Sequence, residues 1–188
     1  MIAATVAGAP VPTAEVDARE AALRDSAQAA ALPRPHTSEG RQLRRWLTQV
    51  LVTERVVARE AQALGIVVTA ATPDEDAVLP DLTSRLEIGS IAAGALADPL
   101  ARALYAHVTS AVDVDDAAIA DYHRRNPRRF PADSEADAVR KIAVMLRGAA
   151  RRRAFRLWLD QRRAALVWLA PGYEHPGDPR QPDNVHRH

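Results

Sequence analysis

The sequence predicts an all-α domain, and three observations carry that reading. First, Leu43, Leu47, Val50, Val57, Ala61 and Leu64 recur three and four residues apart through Ser38–Leu64. That is the spacing of one buried helix face. Second, the same periodicity returns between Ser134 and Ala170 at Val139, Ile142, Leu146, Ala150, Phe155, Trp158, Leu159, Leu166 and Leu169. Third, Pro and Gly fall between the periodic segments, where they end helices. The domain is predicted over residues 1–170, with a helical insertion at about 73–110 and a Pro-rich tail at 171–188.

Composition narrows the chemistry. At 188 residues the chain is long enough to bury a core without cross-links. It has no cysteine, which removes disulfides, thiolate metal ligands and cysteine nucleophiles. A formal net charge of +1 argues against a polyanion-binding protein, so no nucleic-acid partner is expected. No apolar run approaches the ~20 residues of a membrane span. The opening MIAATVAGAPVP lacks a basic n-region, and the expected location is cytoplasmic.

The elements follow in order. Ile2–Val6 is a short β-prone run, and Pro10 and Pro12 keep the next residues extended. Thr13 is expected to cap a helix from about Ala14 to Ala31, with Val16, Leu23 and Ala27 inward. Pro33 and Pro35 end it. Ser38 is expected to cap the long helix and Gly65 to close it as a C′ glycine. Thr72-Pro73-Asp74-Glu75 reads as a helix start. Asp81–Ile88, Ser90–Ala97 and Leu100–Val108 are the predicted helices of the insertion, with Leu82, Leu86, Leu96, Leu100, Leu104 and Val108 inward. Asp113 is expected to cap a further helix through His123, ended by Asn126-Pro127.

Three stretches together resemble the chaperone part of SurA/PrsA-type parvulin prolyl isomerases. VAGAPVPTAEVDAREAAL is similar to their entry segment. LTQVLVTERVVAREAQALGIVVT is similar to their long helix and the short extended run after its closing Gly. Tyr122, Asn126, Pro127 and Phe130 fall on the pattern that leads into their isomerase domain. In those proteins a domain-sized unit follows. Here eight residues separate Phe130 from Val139, where the closing helix is already under way. The resemblance therefore implies a SurA N-terminal-like helical domain without prolyl isomerase activity. An acyltransferase nucleophile is not expected either. The nearest approach to Gly-x-Ser-x-Gly is Gly89-Ser90-Ile91-Ala92-Ala93-Gly94, with the wrong spacing.

Three functions are expected from the residues. The first is a noncatalytic, chaperone-like or accessory protein that holds a protein client or biosynthetic enzyme in an apolar groove, with Leu96, Leu100, Leu104 and Tyr105 as its lining. The second is a metal-binding protein or small metal-dependent enzyme. His175, Asp178, Asp183, His186 and His188 place three imidazoles and two carboxylates in 14 residues, a donor set suited to zinc, copper, nickel or iron. The third is a homo-oligomeric module, such as a homo-dimer joined through the insertion. Glu54, an acid on the long helix's apolar stripe, is expected to pair with Arg153 or Arg156. The basic run Arg151-Arg152-Arg153 is expected to be an exposed face paired with the acids of Asp113–Asp121. Trp168 is expected to pack under Tyr173.

Overall fold

The computed structural model describes residues 1–130 and 134–178. The chain divides into two compact units, Met1–Leu64 with Gln161–His188, and Gly65–Asp160.

The first unit corrects the all-α expectation, because it contains a three-stranded antiparallel sheet of order β2-β1-β3. Strands β1 (Ile2–Val6) and β2 (Ala9–Pro12) form a hairpin. Its two-residue turn, Ala7-Gly8, has positive φ at both positions, 49° and 82°, as a type I′ turn requires. Strand β3 (Val167–Leu169) pairs with the other side of β1, Thr5 facing Trp168. In the sequence, Leu166 and Leu169 continue the spacing of the last helix. The backbone leaves that helix because β1 offers an unpaired edge, and main-chain groups of a strand must find partners.

Helix α1 (Thr13–Arg24) is shorter than expected. A 3₁₀ turn at Ala29–Ala31 follows it, and Ala27 is exposed. Thr13 does not cap it. Its hydroxyl donates to the Met1 carbonyl at 3.3 Å instead. The long helix is α2 (Ser38–Leu64), and Leu47, Val50, Val57 and Ala61 on its predicted stripe are all buried. Its cap is Thr37 rather than Ser38. The Thr37 hydroxyl accepts from the Gly40 N–H at 3.0 Å and donates to the Arg34 carbonyl at 2.8 Å. Gly40 is required there, since a Cβ would lie 2.4 Å from the Arg34 oxygen. Gly65 closes the helix with φ 66°.

Ala3, Val16 and Leu47 form a core cluster of this unit, and Leu23, Leu43, Trp46, Leu51 and Tyr173 pack against it. Tyr173 lies beyond the predicted boundary at Pro171. Its carbonyl accepts from the buried Gln49 side chain at 2.8 Å, so the start of the tail is folded onto α2. Trp168, expected beneath Tyr173, is 55% exposed on the sheet.

Charges tie α1 to α2. Arg44 reaches Asp17 at 2.6 Å and Glu20 at 2.8 Å, and Arg24 holds Glu20 at 2.6 Å. Burial pushes the Glu20 carboxyl up, but the hydrogen bonds and charges of Arg24 and Arg44 outweigh it, and the net shift is downward from 4.5. A lowered folded pKa contributes stability that is present above 4.5 and lost as pH falls through the folded value. Glu20→Gln is therefore expected to cost about 2 kcal/mol at pH 7. The gap to the native chain should close as urea titrations are moved below pH 4.5. A gap that stays constant with pH would show that Glu20 acts through packing alone.

The second unit is helical: α3 (Glu75–Val78), α4 (Leu82–Ile88), α5 (Ser90–Ala95), α6 (Pro99–Val108), α7 (Asp116–Arg125) and most of α8 (Glu135–Leu166). Aspartates start three of them. Asp81, Asp98 and Asp115 accept from the backbone N–H groups of Ser84, Leu100 and Ala118. Asp113, the predicted cap, instead accepts from Arg147 at 2.7 Å. Thr72 also fails as a cap. Its hydroxyl accepts from the Thr69 N–H, and α3 begins after Asp74. Gly89, φ 87°, makes the sharp corner between α4 and α5. Leu79, Leu96, Leu104, Ile142, Phe155 and Leu159 are fully buried core side chains. Tyr105 meets Phe155 edge-on at 5.3 Å, and Trp158 stacks on Phe155 at 5.7 Å. No helix among the described residues is long and apolar enough to cross a membrane.

Candidate functional site

A cleft of about 730 Å³ lies in the second unit, walled by α4, α7, the 3₁₀ turn at Pro127–Arg129 and α8. Its geometry begins at Asp81. That carboxylate accepts the Ser84 N–H at 2.7 Å and the Ser84 hydroxyl at 2.8 Å, and these bonds hold its pKa below the usual carboxylate range. The cap fixes where α4 starts, and hence which of its residues face the cleft: Thr83, Ser84 and Glu87.

Beneath the cleft, Arg152 of α8 grips Glu87 through Nε at 3.0 Å and Nη2 at 2.8 Å, while Nη1 donates to the Val78 carbonyl at 3.4 Å. Arg152 is 7% exposed. One turn back, Gly148 leaves room for it, since a Cβ there would sit 3.2 Å from Nη1. The opposite wall carries Tyr122, whose hydroxyl accepts from Arg129, and Arg140, which pairs with Asp137. Val144 lies between the walls and is 69% exposed. One position around α4 from Thr83 and Glu87, Leu82 and Leu86 form a stripe, each 71% exposed. Both were expected inward.

A family of unknown function (DUF7158) matches residues 2–39. That stretch is β1, β2, α1 and the opening of α2, so it lies in the first unit and outside the cleft. No curated protein and no solved structure matches the chain.

The residues expected to line a groove are placed elsewhere. Leu96 and Leu104 have no exposed surface and Tyr105 only 5%, so they are core, and Leu100 beside them is half-buried. In a helix insertion, a stripe that packs inward and one that waits for a partner have the same spacing. Here α3 and α8 residues cover the predicted one.

The expected ion pair is also corrected. Glu54 pairs with Arg19 of α1 at 2.6 Å, not with Arg153 or Arg156. Both partners are partly exposed, and such a pair contributes about 0.5 kcal/mol. Arg156 instead donates to the Glu87 carbonyl at 3.3 Å and lies 3.9 Å from Asp160. Arg153 is exposed and makes no ion pair among the described residues. The pairing expected of Arg151-Arg152-Arg153 with Asp113–Asp121 is corrected too: Arg151 donates to the Val112 carbonyl at 3.4 Å and Arg152 is buried against Glu87, and it is Arg147, one turn earlier, that pairs with Asp113 at 2.7 Å.

Of the candidate metal ligands, His175 and Asp178 are described. The His175 Nδ1 accepts from the Gly177 N–H at 3.0 Å and its carbonyl accepts from the Asp178 N–H at 2.9 Å, which makes a local turn. Asp183, His186 and His188 lie outside the described residues. Among the described residues no three His, Asp or Glu side chains gather as metal ligands would. In the cleft the Ser84 hydroxyl donates to Asp81, and among the described residues no imidazole lines the walls.

Proposed function

We propose that the protein is a noncatalytic, chaperone-like accessory that binds another protein through the second unit. The exposed leucine pair of α4 beside an open cleft carries this reading. Two leucines one turn apart, each 71% exposed, are not scattered surface residues. Val144, which lines the cleft, is 69% exposed as well, and exposed apolar side chains on both α4 and α8 suit an interaction site. The cleft's polar groups are arranged to hold its shape. Asp81 caps α4 and Glu87 is locked to Arg152. Such a site binds without reacting.

Light scattering by a thermally aggregating reporter enzyme tests this. The native chain is expected to slow the aggregation at equimolar ratio. The double variant Leu82→Gln, Leu86→Gln is expected to lose most of that effect. Its own stability should move by no more than about 0.5 kcal/mol, because the substitutions are at the surface. No suppression by the native chain, or undiminished suppression by the variant, would remove the proposal.

A further inference from the structure

The cleft does not end at Arg152. A second hollow of about 470 Å³ lies on its far side, lined by Glu87, Ala149, Arg153, Arg156 and Leu157. Glu87 and Ala149 line both. The two hollows therefore adjoin along α8, and together they make a trough in two parts. Its floor runs through residues 140–141, 144–145, 148–149, 152–153 and 156–157, spaced one helical turn apart. From Arg140 to Leu157 that is about 25 Å of helix.

Two properties of the trough select its occupant. The first is charge. Four cations beside the apolar floor, Arg140, Lys141, Arg153 and Arg156, lie at its two ends. Arg129 and Arg152 line it as well, so six cations face the two carboxylates of Asp81 and Glu87, while Asp137 outside it pairs with Arg140 and Asp160 lies 3.9 Å from Arg156. The lining keeps a positive surplus. Each hollow carries one exposed apolar side chain, Val144 at 69% in the first and Leu157 at 54% in the second. The second property is the backbone of the walls. Among the described residues no strand lines the trough, whose walls are helices α4, α7 and α8 and the 3₁₀ turn, so they offer no strand edge to an extended peptide. A ligand that buries itself there must bring its own main-chain hydrogen bonds, and a helix does so.

Resting on the protein-binding reading above, we propose that the trough holds an acidic amphipathic helix of about five turns from a partner protein. Its apolar stripe lies on Val144 and Leu157, and its carboxylates meet the arginines and Lys141 on either side. Nucleic acid fits less well. Among the described lining residues Tyr122 is the one aromatic ring, with its hydroxyl engaged by Arg129, while Phe155 and Trp158 of α8 line neither hollow, so bases find little to stack on.

Fluorescence anisotropy with the full chain tests the proposal. The probe is a labelled 18-residue helical peptide with leucine along one face and glutamate flanking it. The comparisons are the same peptide with lysine flanks, a scrambled peptide of equal composition and an 18-nucleotide single strand. The glutamate-flanked helix is expected to bind at least tenfold tighter than each of the others. Arg153→Glu with Arg156→Glu is expected to weaken it at least tenfold and to favour the lysine-flanked peptide, with the urea midpoint unchanged. Arg153→Gln alone, at a position that makes no ion pair among the described residues, is expected to weaken binding about threefold. Equal binding of the scrambled or lysine-flanked peptide overturns the proposal, as does equal binding of the oligonucleotide. If no peptide binds while the native chain still suppresses reporter aggregation, the acidic helix is wrong and the protein-binding reading stands. If both fail, both are wrong.

Discussion

Phe155→Ala is expected to destabilise the protein by about 4 kcal/mol, the range for truncating a fully buried aromatic. Phe155 is 1% exposed and lies between two other rings, Tyr105 edge-on and Trp158 stacked. Part of the loss comes from apolar surface no longer removed from water. The rest comes from the hole left between Tyr105 and Trp158, which close packing cannot refill without moving α6 or α8. Urea unfolding followed by circular dichroism measures the loss. Phe155→Leu should recover more than half of it, because most of the volume returns. A cost for Phe155→Ala below about 1.5 kcal/mol would mean that the neighbours collapse into the hole, and that the site is looser than its burial implies.

The second large effect is at the ion pair beneath the cleft, where the two partners are unequally buried. Arg152 is 8% exposed at its side chain and Glu87 is 43% exposed. Glu87→Ala strands a buried guanidinium and is expected to cost about 3 kcal/mol. Arg152→Met leaves a carboxylate that can turn back to water and a Val78 carbonyl short of one donor, and should cost about 2 kcal/mol. The double variant should cost less than the two added together, since it strands no charge. Urea titration of the three variants gives the cycle. A larger cost for Arg152→Met than for Glu87→Ala would reverse the argument and place the strain on the carboxylate.

How much of this was legible in the sequence depends on the range of each interaction. The α2 stripe at Leu47, Val50, Val57 and Ala61 was readable because helix periodicity is local. So was Gly65, whose positive φ is demanded by the helix end itself. The sheet was not readable. β3 is three residues long, and Val167–Leu169 becomes a strand only because β1, more than 150 residues earlier, lies alongside. The Glu54 partner failed for the same reason. The chain offers arginines on α1, α2, α4, α6, α7 and α8, and only the packing of α1 on α2 selects Arg19.

The candidate site was hidden differently. Leu82 and Leu86 are spaced like a core stripe and are exposed, while Leu96 and Leu104 are spaced the same way and are buried. Spacing reports that a face is apolar, not what covers it. Along α8, Arg153 reads as part of an exposed basic face, and spacing alone does not single out Arg140, Val144 or Leu157. Their placement in one trough depends on α4, which the Asp81 cap and the Arg152–Glu87 pair fix in position.

Pro10 and Pro12 bear on how copies of this chain behave when crowded. β2 is one margin of the sheet, and at these two positions it has no N–H to offer another strand. The other margin, β3, is three residues long. A sheet closed on one side and brief on the other is a poor template for strand-by-strand growth. Among the described strands, β3 is the margin left to accept a neighbour, and two copies paired through it use that margin up.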